Sequence, residues 1–427
     1  MSSNFNLLFS NTSLVSTGYN LTVEVTIPNG VSYVNSDVPA TSITNNLDGT
    51  ITLVWQSIKD LAPNELNSPL TITLKADETF RNSGLLVPFD IPLNSVNAKA
   101  TVDTLPRGND DAGNVKITKN VSSSFIPLRY FLEKSAPGKM PKGAGLLTPV
   151  TSPLWKYTYT LTLENNSREP SIVTLIDTLP NGVRYLDTLS VSGDDDIQLS
   201  SPTIIYPSSG PGGSNFTTIN WGQVTLSANS VNIIKFDAAI WNNYTSGGIE
   251  NSGSRIPHLT PLTNTATLNG LSGPVQATST TNAMDLTIDK FVTPFSTEVG
   301  QINNYTLLYR VNQYNALTNV AITDILSDGQ TYNVGSASII PVNPNPPRNL
   351  DGTTTLSWNI GSLPIGYSNS ITFSSTTSVA FLNGKPVSAF DSISNSSNIN
   401  GTNATFLTAT PDNSGVSQEI FLPNINK

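Results

Sequence analysis

Apolar residues in this chain recur at every second position over short stretches, and Pro, Gly, Asn and Asp break those stretches apart. Leu70-Thr-Ile-Thr-Leu74, Lys156-Tyr-Thr-Tyr-Thr-Leu-Thr-Leu163 and Tyr305-Thr-Leu-Leu-Tyr-Arg-Val311 show the pattern. A period of two is that of a strand with one buried face, and the breakers are turn formers. No window carries the period of a long amphipathic helix, so the pattern predicts an all-β protein.

The pattern also repeats. Asn46-Leu-Asp-Gly-Thr50 returns as Asn349-Leu-Asp-Gly-Thr353, and each precedes a stretch holding a tryptophan, Trp55 or Trp358. Thr217-Thr-Ile-Asn-Trp221 is the middle copy. Ile27-Pro-Asn-Gly-Val31 is matched by Leu179-Pro-Asn-Gly-Val183 and more loosely by Leu326-Ser-Asp-Gly-Gln330. Asn-Gly and Asp-Gly tolerate the positive φ of a tight turn. About seven to nine strands per copy at this spacing is the size of an immunoglobulin-like sandwich. The prediction is three tandem immunoglobulin-like β-sandwich domains at 1–124, 125–283 and 284–413, with a tail at 414–427. The tryptophans are expected to plug the cores.

The copies are offset by one strand. The second opens on Leu128-Arg-Tyr-Phe-Leu-Glu-Lys134 and the third on Leu286-Thr-Ile-Asp-Lys290, whereas the first opens on Phe5-Asn-Leu-Leu-Phe9, which matches their second strand. After the last strand expected near Thr405 to Thr410, Gln418-Glu-Ile-Phe-Leu422 stands where a further first strand would begin. Either the tail donates a strand to the open first domain of another copy, head to tail, or the chain is part of a longer array.

Polar residues break the alternation at positions that should face the cores. Lys134 follows Leu132, Asp177 lies between Leu175 and Leu179, and Asn264 lies between Leu262 and Ala266. Lys290 follows Ile288, Asp324 lies between Ile322 and Leu326, and Asn395 follows Ile393. A buried lysine, acid and amide are costly unless they pair or react. Burial lowers a lysine pKa and raises an aspartic one, giving a neutral amine and a protonated acid. Such an acid polarises an amide carbonyl, and fixed geometry contributes roughly 7–11 kcal/mol towards the barrier. The expected outcome is an intramolecular Lys–Asn isopeptide bond in each of the two later domains. Lys134 and Lys290 are the nucleophiles, Asn264 and Asn395 the electrophiles, and Asp177 and Asp324 the catalytic proton carriers. The alternative is a buried Lys–Asp ion pair with an amide beside it. In the first copy Val25 takes the aspartate position, no lysine precedes Lys59, and only Asn94 keeps an amide, so no bond is expected there.

Composition narrows the classes. Charged residues are 12% of the 427, the net charge is −9, and there is no basic patch to hold nucleic acid. No run of about 18 apolar residues is present, so no membrane insertion is expected. Cysteine is absent, which excludes disulfides and thiolate metal sites, and His258 is the single histidine, read as a loop residue. No metal or cofactor is expected. Asp194-Asp-Asp196 and Asn109-Asp-Asp111 are read as solvated turns rather than calcium sites, and the sequons at Asn215, Asn243 and Asn304 as products of composition. Met1 is not followed by a basic-then-apolar leader; either a leader was removed or the protein leaves the cell otherwise, as a spore-coat protein would.

Leu-Thr-Ile-Asp-Lys290, Tyr305-Thr-Leu, Val320-Ala-Ile-Thr-Asp-Ile-Leu326, a Trp strand and Asn264-Thr-Ala together resemble the tandem "conserved repeat" domain of bacterial and archaeal surface proteins. They are also similar to the isopeptide-forming domains of Gram-positive fimbrial subunits and adhesins. The likeness covers the second and third copies well and the first in part. It implies a β-sandwich, a cell-surface or stalk location and, in the fimbrial branch, internal Lys–Asn bonds at the residues named above. Asn395 departs from the pattern, lying in Asn-Ser-Ser rather than Asn-Thr-Ala, and no pilin lysine motif or sorting signal is seen, which argues against sortase polymerisation. The expectation is an extracellular structural subunit on a cell or spore surface that partners itself in a head-to-tail fibre. It is not an enzyme beyond forming its own bonds. The alternative is an adhesin or stalk that binds a surface ligand.

Overall fold

The computed structural model describes residues 2–106, 114–145, 154–194, 201–208, 214–270, 273–294, 297–388, 391–402 and 412–419. All regular structure among them is strand, and none forms a helix long and apolar enough to cross a membrane. Two compact units are present: Met1–Phe131 with Glu164–Ser171 and Ser227–Ser230, and the remainder, Leu132–Leu163, Ile172–Leu226 and Val231–Lys427.

The first unit contains β1 (Ser2–Phe9), β2 (Tyr19–Ile27), β3 (Val31–Ser36), β4 (Ser42–Asn45), β5 (Ile51–Trp55), β6 (Ser68–Ala76), β7 (Val96–Asp103) and β8 (Lys116–Ser123). They form two sheets, β1-β6-β3 and β4-β5-β2-β7-β8. Leu7, Leu70, Ile72 and Leu74 from one sheet meet Val23, Val25, Leu53 and Trp55 from the other in a single apolar core. This is a β-sandwich, and the alternating burial of β2 and β5 is the sequence period made physical.

The second sheet pair uses β9 (Tyr130–Ser135), β10 (Lys139–Pro141), β11 (Lys156–Asn165), β12 (Ser171–Leu179), β13 (Val183–Gly193), β14 (Thr203–Ile205), β15 (Thr217–Leu226), β16 (Ser230–Ile240), β17 (Thr260–Gly270) and β18 (Gly273–Met284). Its sheets run β13-β16-β11-β9 and β10-β18-β17-β12-β15-β14. The third pair uses β19 (Leu286–Thr293), β20 (Ile302–Val311), β21 (Leu317–Leu326), β22 (Gln330–Tyr332), β23 (Thr354–Leu363), β24 (Ser368–Thr377), β25 (Ser392–Thr402) and β26 (Asp412–Glu419). Its sheets run β19-β20-β24-β22 and β23-β21-β25-β26, closed on one core that includes Ile288, Tyr305, Ile322, Trp358 and Phe373.

The repeated sequence markers become the same structures. Trp55 and Trp358 are buried, and each indole N–H donates to a backbone carbonyl, Val38 O at 2.7 Å and Ile339 O at 2.8 Å. Asn46 N donates to Thr50 O at 2.9 Å and Asn349 N to Thr353 O at 2.7 Å, closing identical turns. Gly49 and Gly352 both sit at φ +85°, where a side chain would strain the backbone.

In the third pair β20 lies between β19 and β24, whereas its counterpart β1 has β6 as its one strand neighbour among the described residues. Residues 412–419, expected partly in a separate tail, form the edge strand β26 antiparallel to β25 of their own sandwich. Residues 420–427 and the strand expected near Thr405 to Thr410 lie outside the described residues.

Candidate functional site

The structure brings a lysine and an aspartate together inside each of the two later sandwiches. β9 carries Lys134 in one sheet and β12 carries Asp177 in the other, and the two side chains, neither exposed to solvent, form an ion pair across the core. Lys290 on β19 and Asp324 on β21 make the same pair at 2.6 Å. Each lysine follows the buried parity of its strand, as the alternation predicts.

The amides sit beside the acids in matched register. Asp177 lies opposite Ala266, two residues past Asn264, and Asp324 lies opposite Ser397, two residues past Asn395. Asn264 and Asn395 are both buried. An aromatic pair flanks each amine. Lys134 Nζ lies 4.7 Å from the Tyr159 ring and 5.3 Å from Phe236, and Lys290 Nζ lies 5.0 Å from Tyr305 and 5.9 Å from Phe373.

Low polarity moves the titrations together. Burial pulls Lys134 down to about 8 against the attraction of Asp177, and it lowers Lys290 likewise. Burial raises Asp177, and raises Asp324 to about 6, with the facing lysine opposing both shifts. In water a lysine outcompetes an aspartate for a proton by roughly six pK units. Here the gap narrows, and the neutral amine with protonated acid becomes an accessible state of each pair.

The two sites differ at the amide. Neither amide atom of Asn264 makes a hydrogen bond of full geometry, whereas the aspartates are alike, Asp177 Oδ1 and Asp324 Oδ1 both being unpartnered. The Asn264 amide is still near enough to weigh on the titration of Asp177 and Tyr159. Asn395, by contrast, is fully engaged. Its Oδ1 accepts from Ser327 N at 2.8 Å and Gln330 Nε2 at 3.0 Å, and its Nδ2 donates to Tyr305 OH at 2.6 Å.

In the first sandwich Asn94 is not the counterpart of these amides. Val25 lies opposite Ala98, so the matching residue two positions earlier is Val96, and Asn94 is exposed ahead of β7. The alternation gives Asn94 the right parity, but Asn94 lies one pair too early, because residues before the strand share that parity without sharing its pairing. Both site positions there are valine.

A third buried lysine escaped the sequence reading. Lys142, in the loop after β10, has no side-chain exposure; its Nζ lies 2.6 Å from Asp285 Oδ1 and donates to Ile256 O at 2.9 Å. Arg255 holds the other carboxylate oxygen at 2.6 Å. Asp285 is the one residue between β18 and β19, so this cluster lies where the second sandwich passes into the third. His258 belongs to it: Nδ1 accepts from Asp285 N at 2.9 Å, a fixed role that a bare loop reading missed. Burial lowers Lys142 to about 8. The sequence signal was faint, since Lys142 lies in a Gly/Pro/Lys-rich stretch with no alternation.

Among the described residues no cluster of His, Asp and Glu could hold a metal ion. Asp194 instead accepts from Val231 N at 2.9 Å, while Asp195, Asp196 and residues 109–111 lie outside the described residues.

No family profile and no curated protein matches this chain. Solved structures that this chain matches include the full-length major pilin SpaD from Corynebacterium diphtheriae, at 13% identity over 95% of this chain and 88% of that one, TM-score 0.24. The major pilin subunit BcpA of Bacillus cereus matches at 11% identity over 100% and 97%, TM-score 0.23. The collagen adhesin of S. aureus matches at 11% identity over 68% and 94%, TM-score 0.16. Red sea bream transglutaminase matches at 8% identity over 69% of this chain and 32% of that one, TM-score 0.27. Superpositions this loose assign no role to any residue, and the chemistry of the two clusters stands on their own geometry.

Proposed function

We propose that this chain is a structural subunit of an extracellular fibre whose second and third sandwiches are each braced by an isopeptide bond, Lys134 to Asn264 and Lys290 to Asn395. The observation that carries the reading is the matched register of acid and amide facing a buried lysine in two sandwiches and two valines in the first. In each site the lysine passes a proton to the aspartate, and its amine attacks the amide carbon. The amide nitrogen leaves as ammonia, and the aspartate ends protonated. The product carries no buried charge. At the second sandwich it also relieves the orphaned atoms: Asn264 Nδ2 departs, and the carbonyl accepts a hydrogen bond from the protonated Asp177 Oδ1. Each bond joins one sheet to the other, so a pull along the chain is borne by covalent bonds rather than by ladder hydrogen bonds.

The offset between the copies supports head-to-tail assembly as the second part of this reading. The segment after β26 holds the place in sequence that β19 holds after β18, and β19 lies beside β20, the counterpart of β1. We assign the outer edge of β1 to the segment 420–427 of another copy, added as a strand.

Intact mass of the full chain tests the bonds. One ammonia should be missing per bond, two in all, with one restored in Lys134→Ala and the other in Lys290→Ala. A full unreacted mass overturns the cross-links. Electron microscopy tests assembly: filaments should form from the full chain and vanish when residues 420–427 are deleted, and particles that remain single in both overturn the strand addition.

A further inference from the structure

We propose that Gln330 and the backbone N–H of Ser327 form an oxyanion cradle for bond formation at Asn395, a device the second sandwich lacks. The inference rests on the Lys290–Asn395 bond proposed above. Both donors reach the carbonyl oxygen of Asn395, at 2.8 Å from Ser327 N and 3.0 Å from Gln330 Nε2. Those are the distances at which preorganised donors stabilise charge on a reacting carbonyl. The amide cannot be turned round without setting its NH2 against the Ser327 N–H, so the backbone donor fixes which atom is oxygen.

Gln330 is itself held for the task. It is buried, and its Oε1 accepts from Tyr305 OH at 2.7 Å and Ser375 Oγ at 2.7 Å. Those two bonds fix the side-chain amide and aim Nε2 at Asn395. Tyr305 OH also accepts from Asn395 Nδ2, so the leaving nitrogen is oriented by the same network.

The turn that supplies the cradle is the motif in which the third copy departs from the others. Leu326-Ser-Asp-Gly-Gln330 stands where the second sandwich has Leu179-Pro-Asn-Gly-Val183. Proline has no N–H and valine no polar atom, so the matching positions Pro180 and Val183 offer no side-chain or proline N–H donor. Asn264 Oδ1 accordingly makes no hydrogen bond of full geometry.

The step balances as follows. Lys290 transfers one proton to Asp324, and the freed amine forms an N–C bond to Asn395 Cγ. The carbonyl electron pair moves onto Oδ1, where Ser327 N–H and Gln330 Nε2–H hold the oxyanion. As the C=O re-forms, the Cγ–Nδ2 bond breaks. The leaving nitrogen takes one proton from the attacking nitrogen, whose N–H bond breaks, and departs as ammonia, and Asp324 retains the proton it received from Lys290. At the second sandwich Asp177 alone must polarise the carbonyl.

The test follows bond formation in the full chain during cell-free synthesis, with samples quenched over time and each link quantified by peptide mass mapping. Gln330→Val, which copies the second sandwich, and Gln330→Met, which keeps length without a donor, should each slow the Lys290–Asn395 link about 100-fold. The Lys134–Asn264 link in the same molecules should keep its rate. Asp324→Ala should retain slow linking that disappears when Gln330→Met is added, a dependence that mere packing would not produce. The reverse graft, Pro180→Ser with Val183→Gln, should speed the Lys134–Asn264 link, and it decides the matter if the Gln330 variants do not fold. Equal or faster linking in Gln330→Met, or no gain from the graft, overturns the cradle while leaving the bond intact. Absence of the Lys290–Asn395 link from the unaltered chain overturns both.

Discussion

Asp177 faces Ala266 across the β12–β17 ladder, which sets Asn264 two residues along on the same face, and Val25 faces Ala98 in the same way with Val96 in the amide's place. The first sandwich is thus the same frame with the reactive groups replaced by methyls.

That replacement predicts what a stray acid would do. Val25→Asp places a carboxyl at a fully buried position with no lysine to meet it. The first sandwich should lose about 3 kcal/mol, the scale of an uncompensated buried charge. Urea unfolding with hydrogen exchange read at β2 and β5 measures it. A loss confined to a few tenths would mean the site is wetter than its burial indicates.

Bond formation should show a bell-shaped pH dependence. Below the aspartate pKa both groups carry protons and the amine cannot attack, while above the lysine pKa the acid has no proton to give. The rate at Lys290–Asn395 should fall off on the acid side near pH 6, where Asp324 titrates, and that at Lys134–Asn264 on the alkaline side near pH 8. Quenched folding at a series of pH values, with mass mapping of each link, gives both limbs. A rate that climbs steadily into alkali would show that no acid is needed.

Removing an electrophile exposes the cost that the bond conceals. Asn264→Ala keeps Lys134 and Asp177 paired but free, and the second sandwich should lose a few kcal/mol through the longer loop of its unfolded state. In this variant Lys134 titrates near 8 when folded against an ordinary 10.5, so the unfolded chain binds more protons between those values. Stability should therefore rise with pH across that window and fall as pH drops through 8. Denaturation midpoints at pH 7, 8, 9 and 10 test the slope.

The junction cluster makes a separate prediction. Lys142→Met leaves Asp285 still paired with Arg255 and should cost about 2 kcal/mol, the scale of a lost hydrogen bond to a charged group. The loss should appear as faster hydrogen exchange in β10, β18 and the start of β19, with both isopeptide links unaffected. Unchanged exchange there would mean that Lys142 adds nothing to the joint.

Much of this was legible in the chain because a strand's period of two forces a polar residue at the apolar parity into a core. Lys134, Asp177, Asn264, Lys290, Asp324 and Asn395 are all buried for that reason. Parity does not give pairing: it points to Asn94 as the counterpart of an amide, whereas the ladder selects Val96. Lys142 was hidden because a loop has no period, and its burial comes from what packs over it. Gln330 was visible as a departure from Pro-Asn-Gly-Val, but its meaning depends on Tyr305 and Ser375, which are distant in sequence and adjacent in space. The role of 412–419 as an in-place edge strand was also beyond pattern, since a short polar strand carries little alternation.

Asp285 is the whole of the connection between β18 and β19, and its backbone and side chain are both engaged, by Asn312 N at 2.8 Å, His258, Lys142 and Arg255. A one-residue link so thoroughly gripped leaves no play for swivelling. Torque applied to the third sandwich is handed to the second without slack, and the two should tumble in solution as one stiff lever.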